Sequence, residues 1–135
     1  MTDIPDLLQA FLAETVDKPM VWGVSDCTTW PAEWVERACG VTLPHLAYAD
    51  RDEARALIEK AGSLVAVWDE ALAQTHLMET GVHEAGDVGI IETHAYGQCG
   101  GIFIDENYFA WRAEPQGYRV LRPRPRTILK VWSIR

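Results

Sequence analysis

The sequence predicts an α+β domain, with N-terminal helices packed on a C-terminal antiparallel sheet. Three observations carry this. Apolar residues recur at helical spacing up to about residue 72, between residues suited to helix caps. After Gly86 the pattern changes to short runs rich in Val, Ile, Phe, Tyr and Trp, separated by turn signals. The chain has 135 residues and is 48% hydrophobic, which suits one compact core, so residues 1–135 are taken as a single domain.

Asp3 is placed to cap a first helix running to about residue 15, with Pro5 in its first turn and Ile4, Leu7, Leu8, Phe11 and Leu12 on one face. Lys18-Pro19 ends it. A second helix starts at residue 27 or 29 and stops at Gly40. Its Cys27, Trp30, Trp34 and Ala38 share a face. Pro31 fits the later start, because a start at Asp26 would crowd its ring against the Cys27 carbonyl. Residues 41–50 read as a loop. Ala54, Leu57, Ile58 and Ala61 mark a third helix ended by Gly62, and Ser63 can cap a fourth containing Val67, Ala71 and Leu72.

Five strands follow: Val88-Gly-Ile-Ile91, Gly101-Ile-Phe-Ile104, Tyr108-Phe-Ala-Trp111, Tyr118-Arg-Val-Leu121 and Ile128-Leu-Lys-Val-Trp132. Asp105-Glu-Asn107 and Pro115-Gln-Gly117 read as hairpin turns. Helices first and strands last make the α+β class.

Composition narrows the function. The formal net charge is −8, which argues against a nucleic-acid module. Residues 1–111 hold 19 Asp/Glu against 5 Lys/Arg, while residues 112–135 hold 7 Lys/Arg against Glu114 alone. The basic stretch from Arg119 to Arg126 is expected to lie near the acidic helices or to face water. The apolar runs are short and broken by charge, so no membrane span is expected. Met-Thr-Asp-Ile-Pro-Asp lacks the basic region and apolar run of a secretory signal, so the chain is expected in the cytoplasm of the producing cell, unless a particle carries it out. Cys27, Cys39 and Cys99 form no CxxC unit, and no disulfide framework or cofactor is expected.

The segment Val21-Trp-Gly-Val-Ser-Asp-Cys27 is the candidate site. It sets a thiol behind a glycine turn at the start of a helix, where unpaired N–H groups favour the thiolate. Such a cysteine is either a nucleophile, with helix-start amides as its oxyanion site, or a small buried packing residue. A nucleophile needs a base. His94 is the nearest, either folded back from the loop between the first two strands or exposed there; His83 is a weaker alternative. His45 and His76 read as surface or interhelical. A zinc site from Cys27, His94 and Cys99 would be one ligand short. Trp22, Trp30 and Trp34 either line a groove beside the thiol or fill the core.

Trp22-Gly23-x-x-Asp26-Cys27, its helix, and the later Gly86-Asp87-Val88 ahead of a strand resemble the NlpC/P60 group of papain-like cysteine peptidases. The likeness is closest to a compact branch from phage tails, prophages and gene-transfer particles. It spans nearly the whole chain, to Val131-Trp132-Ser-Ile134.

The resemblance implies a papain-like fold and Cys27 as nucleophile. It also implies that Asp26 holds the turn and that Gly86 and Asp87 make the tight approach to the first core strand. In active members a histidine opens the next strand, directly before a pair like Gly101-Ile102. Here Gln98-Cys99 stands in that region, and Phe109-Ala110-Trp111 stands where a third polar residue would fall. The implied activity is thiol-dependent hydrolysis of an amide in a cell-wall peptide. Cys27 and His94 would be catalytic, and Trp22, Asp26 and Trp30 would bind substrate. The alternative is a catalytically degenerate domain that binds a partner in a phage tail or particle.

Overall fold

A computed structural model describes residues 3–135. Four helices come first: α1 (Ile4–Thr15), α2 (Thr29–Cys39), α3 (Arg51–Ala61) and α4 (Leu64–Leu72). Six strands follow: β1 (Met78–Glu79), β2 (Val88–Thr93), β3 (Gly97–Phe103), β4 (Phe109–Arg112), β5 (Tyr118–Leu121) and β6 (Ile128–Ser133). They form one antiparallel sheet in the order β1-β6-β2-β3-β4-β5, so β6 lies between β1 and β2.

Local chemistry sets the helix limits. The Asp3, Asp50 and Ser63 side chains accept from the N–H groups of Asp6, Glu53 and Ala66, and so cap α1, α3 and α4. The helix α2 takes the later of the two starts and carries Pro31, buried, in its first turn. Gly40 ends it at φ 69, a left-handed conformation that costs glycine little.

Side-chain alternation along the strands divides the core. Val88, Ile90, Ile102, Ala110 and Trp132 belong to the larger cluster, together with Phe11, Trp30 and Trp34 of the first two helices and Trp68 of α4. Ile91, Cys99, Phe103, Phe109 and Val131 form a smaller one, against which Cys27 and Trp111 pack. Fully burying a large apolar side chain contributes roughly 1.5–3 kcal/mol, and Trp30 and Trp34 are the largest of the fully buried side chains.

Two sequence expectations are corrected. Strand β1, only Met78–Glu79, was not foreseen and is defined by its pairing with β6. Of the two placements open to His94, folded back from a long loop or exposed in it, the first is ruled out because that long loop is not formed. Pairing between β2 and β3 continues to Thr93↔Gly97, leaving His94, Ala95 and Tyr96 as the hairpin tip. The Thr93 hydroxyl accepts from Tyr96 N–H and donates to the Gly97 carbonyl, which fixes that tip. His94 is exposed there.

Candidate functional site

The turn before α2 is built around one carboxylate. Asp26 is 1% exposed. Its Oδ1 accepts from the N–H groups of Thr28 and Thr29, each at 2.8 Å, and from the Thr29 hydroxyl at 3.0 Å. Its Oδ2 accepts from Gly23 N–H at 2.8 Å and the Tyr48 hydroxyl at 2.6 Å. The Thr29 hydroxyl in turn accepts from Asp26 N–H at 2.8 Å, a reciprocal arrangement like a capping box. Gly23 has φ 81, and a Cβ there would lie 2.1 Å from the Tyr48 carbonyl oxygen, so only glycine lets the turn meet the loop. Asp26 is therefore a buried clamp with its lone pairs engaged, the turn-holding role that the resemblance implies, and it also borders the cleft beside Cys27.

That clamp holds Cys27 at the wall of a cleft of about 570 Å³ between the α2 turn, α3, the start of α4 and the β3–β5 side of the sheet. Cys27 is a half-buried residue, and its thiol pKa is held below the ordinary value. The neighbouring Cys99 thiol is the largest cause, and the N–H groups of Gly100 and of Cys27 itself assist. Burial and the Asp26 charge act against this. Cys99 is pushed well up by the same contact, by burial and by the Cys27 charge. Their proximity thus lowers the pKa of Cys27 and raises that of Cys99. Gly100 permits the contact, since a Cβ on it would lie 2.4 Å from the Trp68 ring and 2.5 Å from the Cys27 carbonyl oxygen.

Among the described residues, no histidine lines this cleft. His94 sits at the exposed hairpin tip, so it is not brought to Cys27. His83 Nε2 is 2.8 Å from the Glu106 carbonyl oxygen, and its ring stacks on Phe103 at 4.0 Å. His45 and His76 are exposed. The residues in the histidine's place have other partners. The Gln98 side-chain carbonyl accepts from the N–H groups of Leu64 and Val65 at the start of α4, and Cys99 meets Cys27. The helix-start amides expected as an oxyanion site are equally engaged, because Asp26 already occupies those of Thr28 and Thr29. The imagined zinc site loses His94. Among the described residues, no group of three or more His, Cys, Asp or Glu is placed to hold a metal ion.

Trp22, half-buried, does line the cleft. Trp30 does not. It is 1% exposed, donates from Nε1 to the Thr15 hydroxyl at 2.9 Å, and stacks between Phe11 and Tyr118. Its helical spacing from Trp34 put both indoles on the face that meets the core, which corrects its assignment to substrate binding.

Two polar residues escaped the sequence reading. Tyr48, from the 41–50 loop, closes the Asp26 clamp. Its hydroxyl is pushed up by burial and by the carboxylate it donates to. Arg112, 3% exposed, donates to the Ser25 hydroxyl and to the Lys18, Pro19 and Gly117 carbonyls, tying the approach to the Cys27 turn onto β4 and β5. Its signal was an arginine closing the apolar run Phe109-Ala-Trp111. Burial lowers its pKa, and the charges of Glu33 and Asp26 oppose that.

The cleft also carries charge of the opposite sign to the whole chain. Arg51, Arg55 and Arg119 line it and are exposed, with Glu114 as the exposed carboxylate. Among the described residues, none of the three arginines forms an ion pair within 4.0 Å.

A family model described as "Domain of unknown function (DUF6950)" matches residues 1–134. No curated protein matches the chain.

Proposed function

The chain belongs to the DUF6950 family, and we propose, from its motifs and cleft, that it is an NlpC/P60-like domain of papain-like type that binds a ligand in the Cys27 cleft without hydrolysing it. The observation that carries this is the state of the base position: Gln98 caps α4, Cys99 faces the thiol, and no imidazole lines the cleft among the described residues. Without a group that accepts and returns a proton near neutral pH, amide hydrolysis lacks its acid–base step. The order of elements supports the scaffold reading: a cysteine before a helix, then an antiparallel sheet approached through Gly86-Asp87.

The ligand is an acidic peptide, whether a wall peptide or a segment of a particle protein. The guanidinium groups of Arg51, Arg55 and Arg119, in no ion pair among the described residues, offer forked donors to carboxylates, and Trp22, Leu57 and Trp111 supply apolar wall. The test is a titration with purified muropeptides, read by tryptophan fluorescence, together with product analysis by mass spectrometry. Binding that weakens about tenfold in the Arg51→Glu/Arg55→Glu variant, persists in Cys27→Ala and yields no cleaved product supports the proposal. Cleavage by the parent but not by Cys27→Ala would overturn it.

One observation favours the alternative of thiol-dependent hydrolysis: Cys27 faces the cleft with a lowered pKa. The same digestion decides between the two.

A further inference from the structure

Two of the three cysteines, Cys27 and Cys99, line the same cleft and pack in the same apolar cluster, and ligand binding makes no use of the pair. Cys27 ends the turn before α2, and Cys99 lies on β3 opposite Ile91. Gly100 lets the two backbones approach, since a Cβ at that position would lie 2.5 Å from the Cys27 carbonyl oxygen. The Cys27 backbone thus lies against the residue that follows Cys99 on β3. Cys39 is separate: it lies at the other end of α2, with Sγ 3.4 Å from the Ile134 carbonyl oxygen.

We propose that Cys27 and Cys99 form a peroxide-responsive dithiol, whose reversible disulfide removes the free thiol from the cleft. The Cys27 thiolate attacks one oxygen of a hydroperoxide and the O–O bond breaks. The departing oxygen takes a proton from water as an alcohol or, from hydrogen peroxide, as water. Cys27 becomes a sulfenic acid. Cys99 sulfur then attacks Cys27 sulfur, the S–O bond breaks, and the Cys99 proton leaves with the hydroxyl as water. The two thiols lose two electrons, which the hydroperoxide takes up.

The roles follow from position. Cys27 is the less buried residue of the two and the one whose pKa is lowered, so it meets the oxidant. Cys99, 6% exposed, is shielded and keeps its proton while Cys27 is charged. Once Cys27 is a neutral sulfenic acid, that charge no longer holds the Cys99 proton, and the second thiol is released to react. A small dithiol such as dithiothreitol reverses the bridge by exchange.

The test treats the full chain with hydrogen peroxide, blocks remaining thiols, and maps products by mass spectrometry. The expected parent product has lost two hydrogen atoms, joins the Cys27 and Cys99 peptides within one chain, leaves Cys39 open to alkylation, and reverts with dithiothreitol. Cys39→Ser is expected to form the same bridge. Cys99→Ser is expected to lose it and to accumulate oxygen on Cys27. An unchanged parent, oxygen on Cys27 without a bridge, a bridge through Cys39, or a bridge between chains would each overturn the proposal. Mapping in the parent and in Cys39→Ser decides the matter even if Cys99→Ser fails to fold.

Discussion

Two glycine turns in this protein each end on a buried aspartate: Gly23 to Asp26 ahead of α2, and Gly86-Asp87 ahead of β2. Both carboxylates accept backbone N–H groups. Asp87 takes those of Glu84 and Ile134, and it also pairs with the Arg135 guanidinium at 3.0 Å. Asp26 has no such ion pair among the described residues, and its donors are N–H and O–H groups. Each also stands near a thiol and pushes its pKa upward: Asp26 acts on Cys27, and Asp87, after burial, on Cys39. The outcomes differ because only Cys27 has a second thiol and facing N–H groups that outweigh its carboxylate. One turn fastens the last strand. The other sets the charge state of a cleft thiol.

The largest test of this contrast removes the carboxylates. Asp26→Ala strands three backbone N–H groups and the Tyr48 hydroxyl, and it is expected to cost about 4 kcal/mol in urea melts; Asp87→Ala, which leaves Arg135 beside the chain end, about 3 kcal/mol. Both should exceed 2 kcal/mol, and a loss below 1 kcal/mol at either would show that its turn does not depend on the carboxylate. The glycines come next. Both glycines have positive φ, but Gly23→Ala also drives a methyl against backbone and is expected to cost about 3 kcal/mol, while Gly86→Ala meets the ends of Ile4 and Ile134 side chains and should cost about 2 kcal/mol. Reversal of that order would mean that the Tyr48 loop yields more easily than the core.

The smallest effect is the most specific. With its pKa lowered, Cys27 should gain thiolate at a lower pH than Cys39, whose pKa is raised, so iodoacetamide at pH 7 should label Cys27 about tenfold faster or more. The rate at Cys27 rises with pH and levels off above its lowered pKa. Cys99→Ala removes the largest cause of the lowering and should move that profile to higher pH. Asp26→Asn should move it to lower pH, whereas Asp87→Asn should alter Cys39 alone. Equal labelling of the three thiols would remove the distinction between the two turns.

Much of this was legible because local chemistry fixes it. Asp3 and Ser63 as caps, Gly40 and Gly62 as stops, and the Asp26 turn all act within four residues along the chain. What was not legible depends on distant partners. The far ends of β2 and β3 are polar or glycine, Glu92-Thr93 and Gly97-Gln98, and their strand character comes from pairing with each other. That pairing, invisible in either segment alone, is what carried His94 away from the thiol. Likewise Arg112 and Tyr48 read as ordinary strand and loop residues until the segments that supply their acceptors, residues 18–26 and 117, are brought beside them. The Gln98-Cys99 departure was visible in the sequence, but the contact between Cys27 and Cys99 emerges only when β3 is laid against the α2 turn.

The place of β6 in the sheet has a consequence during synthesis. Of the strands in this sheet it is the last to leave the ribosome, yet it sits between β1 and β2. Until it arrives, β1 has no partner and one flank of β2 carries unpaired backbone groups, an edge open to association with other chains. Helices α1 to α4 and the β2–β5 meander can form as the chain emerges, but closure of the sheet waits for Ile128–Ser133. Final assembly of this domain is therefore expected to follow release of that segment, and a ribosome stalled before it would present an adhesive intermediate.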